Sequence, residues 1–145
     1  MPQKRTLRHG FNLIEVTTTL AVVAILSALI LPRAAGFMDS IEVRGAVTEI
    51  VALFSTARHA AISHGAQAVL EINAGTGTMT LRVGPDTLQA REIGAAHGVT
   101  ITSNRSSITY SPIGVGYGAA NFTMTVRRNA LSDTIYVSRL GRVRF

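Results

Sequence analysis

The chain has 145 residues, with 14 lysines and arginines against 8 aspartates and glutamates, and it has no cysteine. The absence of cysteine excludes disulfides and cysteine-based catalysis or metal binding. The formal charge of +6 is a moderate basic excess. About 110 residues follow an apolar N-terminal segment, which leaves room for one small domain with a modest core.

The N-terminal segment, residues 11–31, is apolar or weakly polar except for Asn12 and the charged Glu15. As an α-helix it spans about 31 Å, close to the hydrocarbon thickness of a bilayer. The residues before it carry three basic side chains and no acid. The positive-inside bias therefore predicts that residues 1–10 are cytoplasmic and that the rest of the chain lies outside.

Glu15 is out of place in this segment, because an ionised carboxylate near the start of a membrane helix costs about 2–3 kcal/mol unless it is paired. Cleavage between Gly10 and Phe11 would create a positive α-amine one helical turn before Glu15. The amine of a neighbouring copy could serve equally well. The sequence thus predicts a charge partner that arises only after processing or assembly.

The basic leader, Gly10, Phe11, Leu13, Glu15 and the unbroken apolar run resemble the class III signal of type IV pilins and type II secretion pseudopilins. The resemblance implies that a prepilin peptidase cuts after Gly10 and that Phe11 is N-methylated. It also implies that Glu15 pairs with the N-terminus of an adjacent subunit during filament assembly. Pro32 ends the run where such pilins often carry a helix-kinking proline.

Two other interpretations of the N-terminus stay open. A conventional secretory signal could be cut near the small residues that follow Arg33, and a plain single-span anchor would not be cut at all. If the leader is removed, Lys4, Arg5 and Arg8 leave with it. The remaining basic residues are all arginines, whose planar guanidinium suits phosphate and carboxylate contacts.

A second helical pattern follows the apolar run and ends near Gly65. Its apolar residues recur at spacings of three and four, which predicts one buried stripe on a helix from about Asp39 to His64. The stripe consists of Val43, Val47, Ile50, Phe54, Ala57 and Ala61. We therefore expect one long helix, with residues 11–31 in the membrane and later the filament core. Residues 32–65 would form its amphipathic second half, with a kink between Pro32 and Gly36.

After Gly65 the apolar period changes from 3.6 to 2, and residues 66–145 read as a periplasmic β-rich head. Seven short strands are predicted: 66–72, 78–83, 99–102, 107–110, 122–128, 134–138 and 142–145. Turn residues separate them. The predicted fold is α+β, a long N-terminal helix packed against a small antiparallel two-sheet head.

The whole layout, and not only the signal, resembles the GspH/FimT family of minor pilins and pseudopilins. The motifs that carry this resemblance are Ile108-Thr-Tyr-Ser-Pro-Ile-Gly114 and the terminal Ile135-Tyr-Val-Ser-Arg-Leu-Gly-Arg-Val-Arg-Phe145. The resemblance implies a non-enzymatic filament subunit that meets other major and minor pilins or pseudopilins. Its expected location is the bacterial inner membrane and then a pilus or pseudopilus.

The C-terminal motif predicts a hairpin with Gly141 in its turn and Arg139 at its tip. The strand period of 2 places Arg142 and Arg144 on one face, and Val143 and Phe145 towards the core. We expect the guanidiniums of Arg127 and Arg128, on a nearby strand, to join this patch. Five arginines could then bind DNA phosphates without reading sequence.

Two roles for this patch stay open. In the FimT branch a Gly-Arg-x-Arg tail is associated with DNA capture during natural transformation, which would make double-stranded DNA a partner. The alternative is a structural adaptor of a type II secretion system, in which the arginines protect an edge strand or pair with acids of another subunit. No catalytic motif occurs, and no cofactor is expected. His59 and His64 have the wrong spacing for a shared metal, and His97 is expected in a loop.

Overall fold

A computed structural model of the protein describes residues 12–117, 122–138 and 142–145. The chain divides into two compact units, Met1–Phe37 and Met38–Phe145. The first helix, α1, runs from Leu13 to His64 and continues through Pro32 and Gly36. It ends at Gly65, whose φ of 58° is the left-handed conformation that commonly stops a helix. One long helix is confirmed, and the kink near Pro32 stays a prediction.

In the first unit, the apolar side chains of α1 are exposed. Leu13 is 79% and Leu31 67% accessible. Within the described residues, α1 is the one helix that is long and apolar enough to cross a membrane, by length and composition. Thr17, Thr18 and Thr19 interrupt its apolar surface, but each hydroxyl donates to a carbonyl three or four residues earlier, at 2.8–3.0 Å. These hydroxyls therefore need no water, which suits an apolar environment.

In the second unit, the predicted apolar stripe of α1 is buried. Each of its six residues is at most 4% exposed. The ring of Phe54 meets Phe122 edge to face, with centroids 5.6 Å apart. Such pairs add to the free energy of burial. The stripe and the inward faces of the strands form one core cluster.

Nine strands and one short helix follow α1 in the described residues. They are β1 (Ala68–Asn73), β2 (Thr78–Val83), β3 (Asp86–Glu92), α2 (Ile93–His97), β4 (Thr100–Ser103), β5 (Ser107–Tyr110), β6 (Gly116–Tyr117), β7 (Phe122–Arg128), β8 (Leu131–Val137) and β9 (Val143–Arg144). Their order is β3-β2-β1-β5-β6 in one sheet and β4-β7-β8-β9 in the other. All neighbours are antiparallel, so the predicted fold, a long helix followed by a two-sheet head, is confirmed.

Side chains alternate along the strands as the period of 2 requires. On β7, Phe122, Met124 and Val126 are fully buried, and the residues between them are not. All buried apolar residues of the described chain lie between Val43 and Val137. The unit Met38–Phe145 therefore contains its complete core, as an independently folding domain does.

Three elements were missed by the sequence analysis: β3, β6 and α2. Six of the seven residues of β3 are exposed, so the strand has no apolar alternation to reveal it. β6 has only two residues, and α2 only five. His97, expected in a loop, instead ends α2.

The orientation of Phe145 also differs from its prediction. Phe145 was expected to face the core, but its side chain is 69% exposed. The reason is that β9 ends at Arg144, so no strand pairing directs the ring inward. Val143 does pack against the core, as predicted.

Candidate functional site: assembly helix and arginine hairpin

The beginning of α1 carries the predicted assembly residue. Asn12 precedes the helix, and its carbonyl accepts hydrogen bonds from the backbone N–H groups of Glu15 and Val16 at 3.0 and 3.2 Å. Glu15 therefore lies in the first turn, where a carboxylate is favoured by the helix dipole. It is exposed and forms no ion pair with another described residue. Gly10 and Phe11, the predicted cleavage and methylation positions, lie outside the described residues.

The C-terminal strands form the expected hairpin, called here the arginine hairpin (β8, β9 and Arg142). Tyr136 lies opposite Arg144, and Val137 opposite Val143. Two hydrogen bonds close the hairpin below its turn. The Ser138 N–H donates to the Arg142 carbonyl at 2.9 Å, and the Arg142 N–H donates to Ser138 Oγ at 3.2 Å. Arg139 and Gly141, predicted in the turn, lie outside the described residues.

Arg142 and Arg144 lie beside an open groove of about 560 Å³. The groove is lined by Phe122, Thr123, Tyr136, Val137, Ser138, Arg142 and Arg144. This lining contains no carboxylate, and neither arginine forms an ion pair within the described part of the chain. Both side chains are accessible to solvent. The hairpin thus offers two positive groups beside hydroxyls, an arrangement that suits an anionic ligand.

The other two described arginines of the predicted patch lie elsewhere, which corrects the expectation of one cluster. Arg127 pairs with Ser132 at the end of β7 remote from β9, whereas Phe122 pairs with Val137 beside β9. The five-residue separation along β7 corresponds to about 17 Å. Strand period places residues on a face, but it does not place them at one end of that face.

Arg128 has a structural environment of its own. Its Nε donates to Asp39 Oδ1 at 2.8 Å, and its Nη1 donates to the carbonyl of His97. The Asn129 amide donates to the other oxygen of Asp39 at 2.8 Å. This hydrogen bond from Asn129 is the main reason that the pKa of Asp39 lies below its ordinary value of 3.8; burial opposes it, and Arg128 lowers the pKa further. Arg128 therefore ties the β7–β8 turn to α1 and α2.

Sequence reasoning also missed a histidine between two carboxylates. His97 Nδ1 lies 2.9 Å from Glu42 Oε2, and its Nε2 lies 3.2 Å from Glu49 Oε2. Glu42 and Glu49 are two helical turns apart on the same face of α1, and that spacing was the available signal. Gly45 lies between them, and a Cβ there would be 3.0 Å from the His97 ring. These contacts fasten α2 to the helix.

Comparison with known protein families assigns this chain to a family. The model of the family Type II transport protein GspH matches residues 46–141. The chain belongs to the GspH family. This is a family of structural pilin and pseudopilin subunits rather than enzymes, and the predicted resemblance is confirmed.

Solved structures agree on the fold. The type IV minor pilin FimU of Pseudomonas aeruginosa PAO1, in one crystal form, matches with a TM-score of 0.64 and 16% identity, over 74% of this chain and 90% of FimU. A second crystal form matches with a TM-score of 0.59 and 15% identity, over 70% of this chain and 90% of FimU. No curated protein sequence matches the chain. This GspH-family chain therefore has the fold of a minor pilin.

Proposed function

We propose that this chain is a minor pilin that is anchored in the bacterial inner membrane by residues 11–31 and then assembled into a filament through the same helix. A prepilin peptidase removes residues 1–10 on the cytoplasmic side, and Phe11 becomes N-methylated. The head, residues 66–145, lies in the periplasm before assembly. The observation that supports this most strongly is the exposed apolar stretch of α1, which carries a single carboxylate, Glu15, between residues 12 and 31.

In this proposal Glu15 aligns the incoming subunit. A filament core of packed helices excludes water, so an unpaired carboxylate there is unfavourable by about 2–3 kcal/mol. The α-amine of a neighbouring major or minor pilin removes that cost when the two helices lie in register. Glu15 therefore lowers the free energy of one helix register relative to the others.

The test compares Glu15→Gln, Glu15→Asp and a control, Thr18→Val, whose hydroxyl is satisfied within the helix. Glu15→Gln should be processed normally but should enter filaments at least about tenfold less efficiently, since the charge pair is absent. Glu15→Asp should recover part of this, and Thr18→Val should match the wild type. The measurement is an immunoblot of sheared filaments against membranes. Normal incorporation of Glu15→Gln would contradict the role of Glu15.

Processing is tested separately with Gly10→Val. The peptidase must close around a residue without a side chain, so this variant should keep its leader. Mass spectrometry of the membrane-extracted protein distinguishes the two N-termini. Cleavage of Gly10→Val at the same position would contradict the proposed signal.

We further propose that the arginine hairpin binds the phosphates of double-stranded DNA, as a pilus subunit serving natural transformation would. The supporting observation is that Arg142 and Arg144 are accessible beside a groove whose described lining has no carboxylate. Arg139 and Gly141, which lie outside the described residues, are proposed to belong to the same phosphate-binding motif. Arg127 would add a more distant contact. Arg128 is already bonded to Asp39 and would contribute least.

The test is a DNA titration of the full chain in non-ionic detergent at several salt concentrations. Arg142→Ala/Arg144→Ala should weaken binding and reduce the slope of log K against log salt by about 0.9 for each phosphate that the variant no longer neutralises. Arg44→Ala/Arg105→Ala removes the same charge from exposed positions elsewhere and should leave most of the binding. Equal binding, or no binding, of the wild type and Arg142→Ala/Arg144→Ala would contradict DNA binding by the hairpin. The alternative, a structural adaptor in type II secretion, would then replace it.

A further inference from the structure

The outer face of the four-stranded sheet carries hydroxyls and arginines. Its outward positions on β7 and β8 are Thr123, Thr125, Arg127, Ser132, Thr134 and Tyr136. The hydroxyls of Thr125 and Thr134 lie 3.3 Å apart, as cross-strand neighbours on one face do. Asp133 belongs to the core-facing side of the sheet, because directly paired residues share a face and its partner is the buried Val126. Among the described residues, this face of β7 and β8 therefore has no carboxylate.

Tyr136 is the aromatic residue of this face. Its side chain is 56% exposed, so it contributes little to the core. It lies directly between Thr123 on β7 and Arg144 on β9. Arg142 lines the same groove. Surfaces that bind single-stranded nucleic acid combine aromatic rings, on which bases stack, with arginines that contact the phosphate backbone. Tyr136 provides such a ring, and the two guanidiniums beside it have no acidic partner among the described residues.

We propose that Tyr136 stacks on an unpaired base and that the arginine hairpin thereby prefers single-stranded DNA, or a frayed end, to a closed duplex. The proposal rests on the phosphate contact proposed above. In a duplex, both faces of each base are covered by its neighbours, so the ring has nothing to stack on except at an end. A single strand offers a base face and its phosphates together. The hydroxyls of Thr123 and Thr134 lie where the next nucleotide would pass, and Arg127 is about 13 Å from the Tyr136 row, within reach of a further phosphate.

The experiment measures binding of oligothymidylate and of a closed DNA hairpin duplex to the full chain in non-ionic detergent. Three variants are compared: Tyr136→Leu removes the ring, Tyr136→Phe keeps it, and Tyr117→Leu removes an exposed ring of the other sheet. Tyr136→Leu should bind oligothymidylate about 5- to 150-fold more weakly, the range that corresponds to stacking of one base. Tyr136→Phe and Tyr117→Leu should stay close to the wild type. Duplex affinity should be the same in all four proteins.

Intrinsic fluorescence gives a second readout that a purely electrostatic contact would not change. The chain has three tyrosines and no tryptophan, and Tyr110 is buried. In a Tyr117→Phe background, Tyr136 is the exposed emitter. Oligothymidylate should quench it, whereas inorganic polyphosphate, which has charge but no bases, should not.

The outcomes separate this inference from the proposed phosphate contact. Equal affinity of Tyr136→Leu and wild type for oligothymidylate, together with loss of binding in Arg142→Ala/Arg144→Ala, would overturn the stacking and leave the phosphate contact standing. Absence of binding to both DNA forms would overturn both. Loss of single-strand preference in Tyr136→Leu alone would support the proposal.

Discussion

The stability of the head should depend on a close backbone approach between Gly77, in the β1–β2 turn, and Gly94, at the start of α2. The N–H of Gly94 donates to the Gly77 carbonyl at 3.0 Å. A Cβ at Gly94 would lie 2.9 Å from Gly77 Cα and 3.1 Å from the Thr76 carbonyl oxygen. Both are backbone atoms, so neither can rotate away. Gly94→Ala should therefore destabilise the head by about 1–3 kcal/mol, as overpacking does.

This prediction is measured by thermal and urea unfolding of the full chain in detergent, followed by circular dichroism. For a unit of this size, 1 kcal/mol changes the melting temperature by about 4–8 °C. Gly75→Ala in the same turn is the matched control, because its Cβ would meet only Asn73 Oδ1, at an ordinary 3.4 Å. Gly77→Ala should be more damaging than Gly94→Ala, since Gly77 also has a φ of 68°. Wild-type stability of Gly94→Ala would refute the reasoning.

Three further predictions concern single side chains of the unit Met38–Phe145. The pKa of Asp39 is lowered in the folded state, so its contribution to stability is present above pH 3.8 and disappears as the pH falls through the folded pKa. Asp39→Asn should therefore make the free energy of unfolding depend less on pH in this acid range, as measured by urea titrations at several pH values. An unchanged pH dependence would contradict the prediction. Burial, opposed by the charge of Arg58, raises the pKa of Tyr110 to about 12, and its hydroxyl has no hydrogen-bond partner among the described residues. Tyr110→Phe should therefore be neutral or stabilising by about 1 kcal/mol in urea unfolding, whereas a marked loss of stability would reveal a partner. Arg128→Lys should lower the melting temperature, because one ammonium cannot reproduce the separate hydrogen bonds of Nε and Nη1. Arg142→Lys is the control and should leave the melting temperature unchanged, because the Arg142 side chain forms no such bonds within the described residues.

The sequence alone predicted the parts of the fold in which one face is buried. The stripe of α1 and the alternation of β7 were recognised because a core on one side imposes a period on the residues. β3 escaped because six of its seven residues are exposed, so burial selects no pattern in it. α2 escaped because five residues are too few to show a helical period, and only Ile93 of the five is buried.

The sequence predicted which arginines share a face of the sheet, but not which arginines lie at the same end of that face. The period of 2 correctly placed Arg142 and Arg144 together and Val143 on the opposite side. It could not show that Arg127 and Arg128 lie about 13 and 17 Å along β7 from the row of Thr123, Tyr136 and Arg144, because that depends on which residue of β8 pairs with which residue of β7. The spacing of Glu42 and Glu49 marked one face of α1, but it could not show that His97 lies against that face, since the two acids are 55 and 48 positions away in the chain.

The two ends of β7 place their arginines in different surroundings. At the Arg128 end, Asp39 of α1 pairs with the guanidinium, with Nε and Oδ1 2.8 Å apart. At the Phe122 end, the neighbours of Arg142 and Arg144 on the outer face are the hydroxyls of Thr123 and Tyr136. A hydroxyl orients a ligand without neutralising a nearby guanidinium. Under the proposed function, an anionic partner would therefore meet two guanidiniums without a described acidic partner at the arginine hairpin, whereas Arg128 ties the β7–β8 turn to α1 and α2.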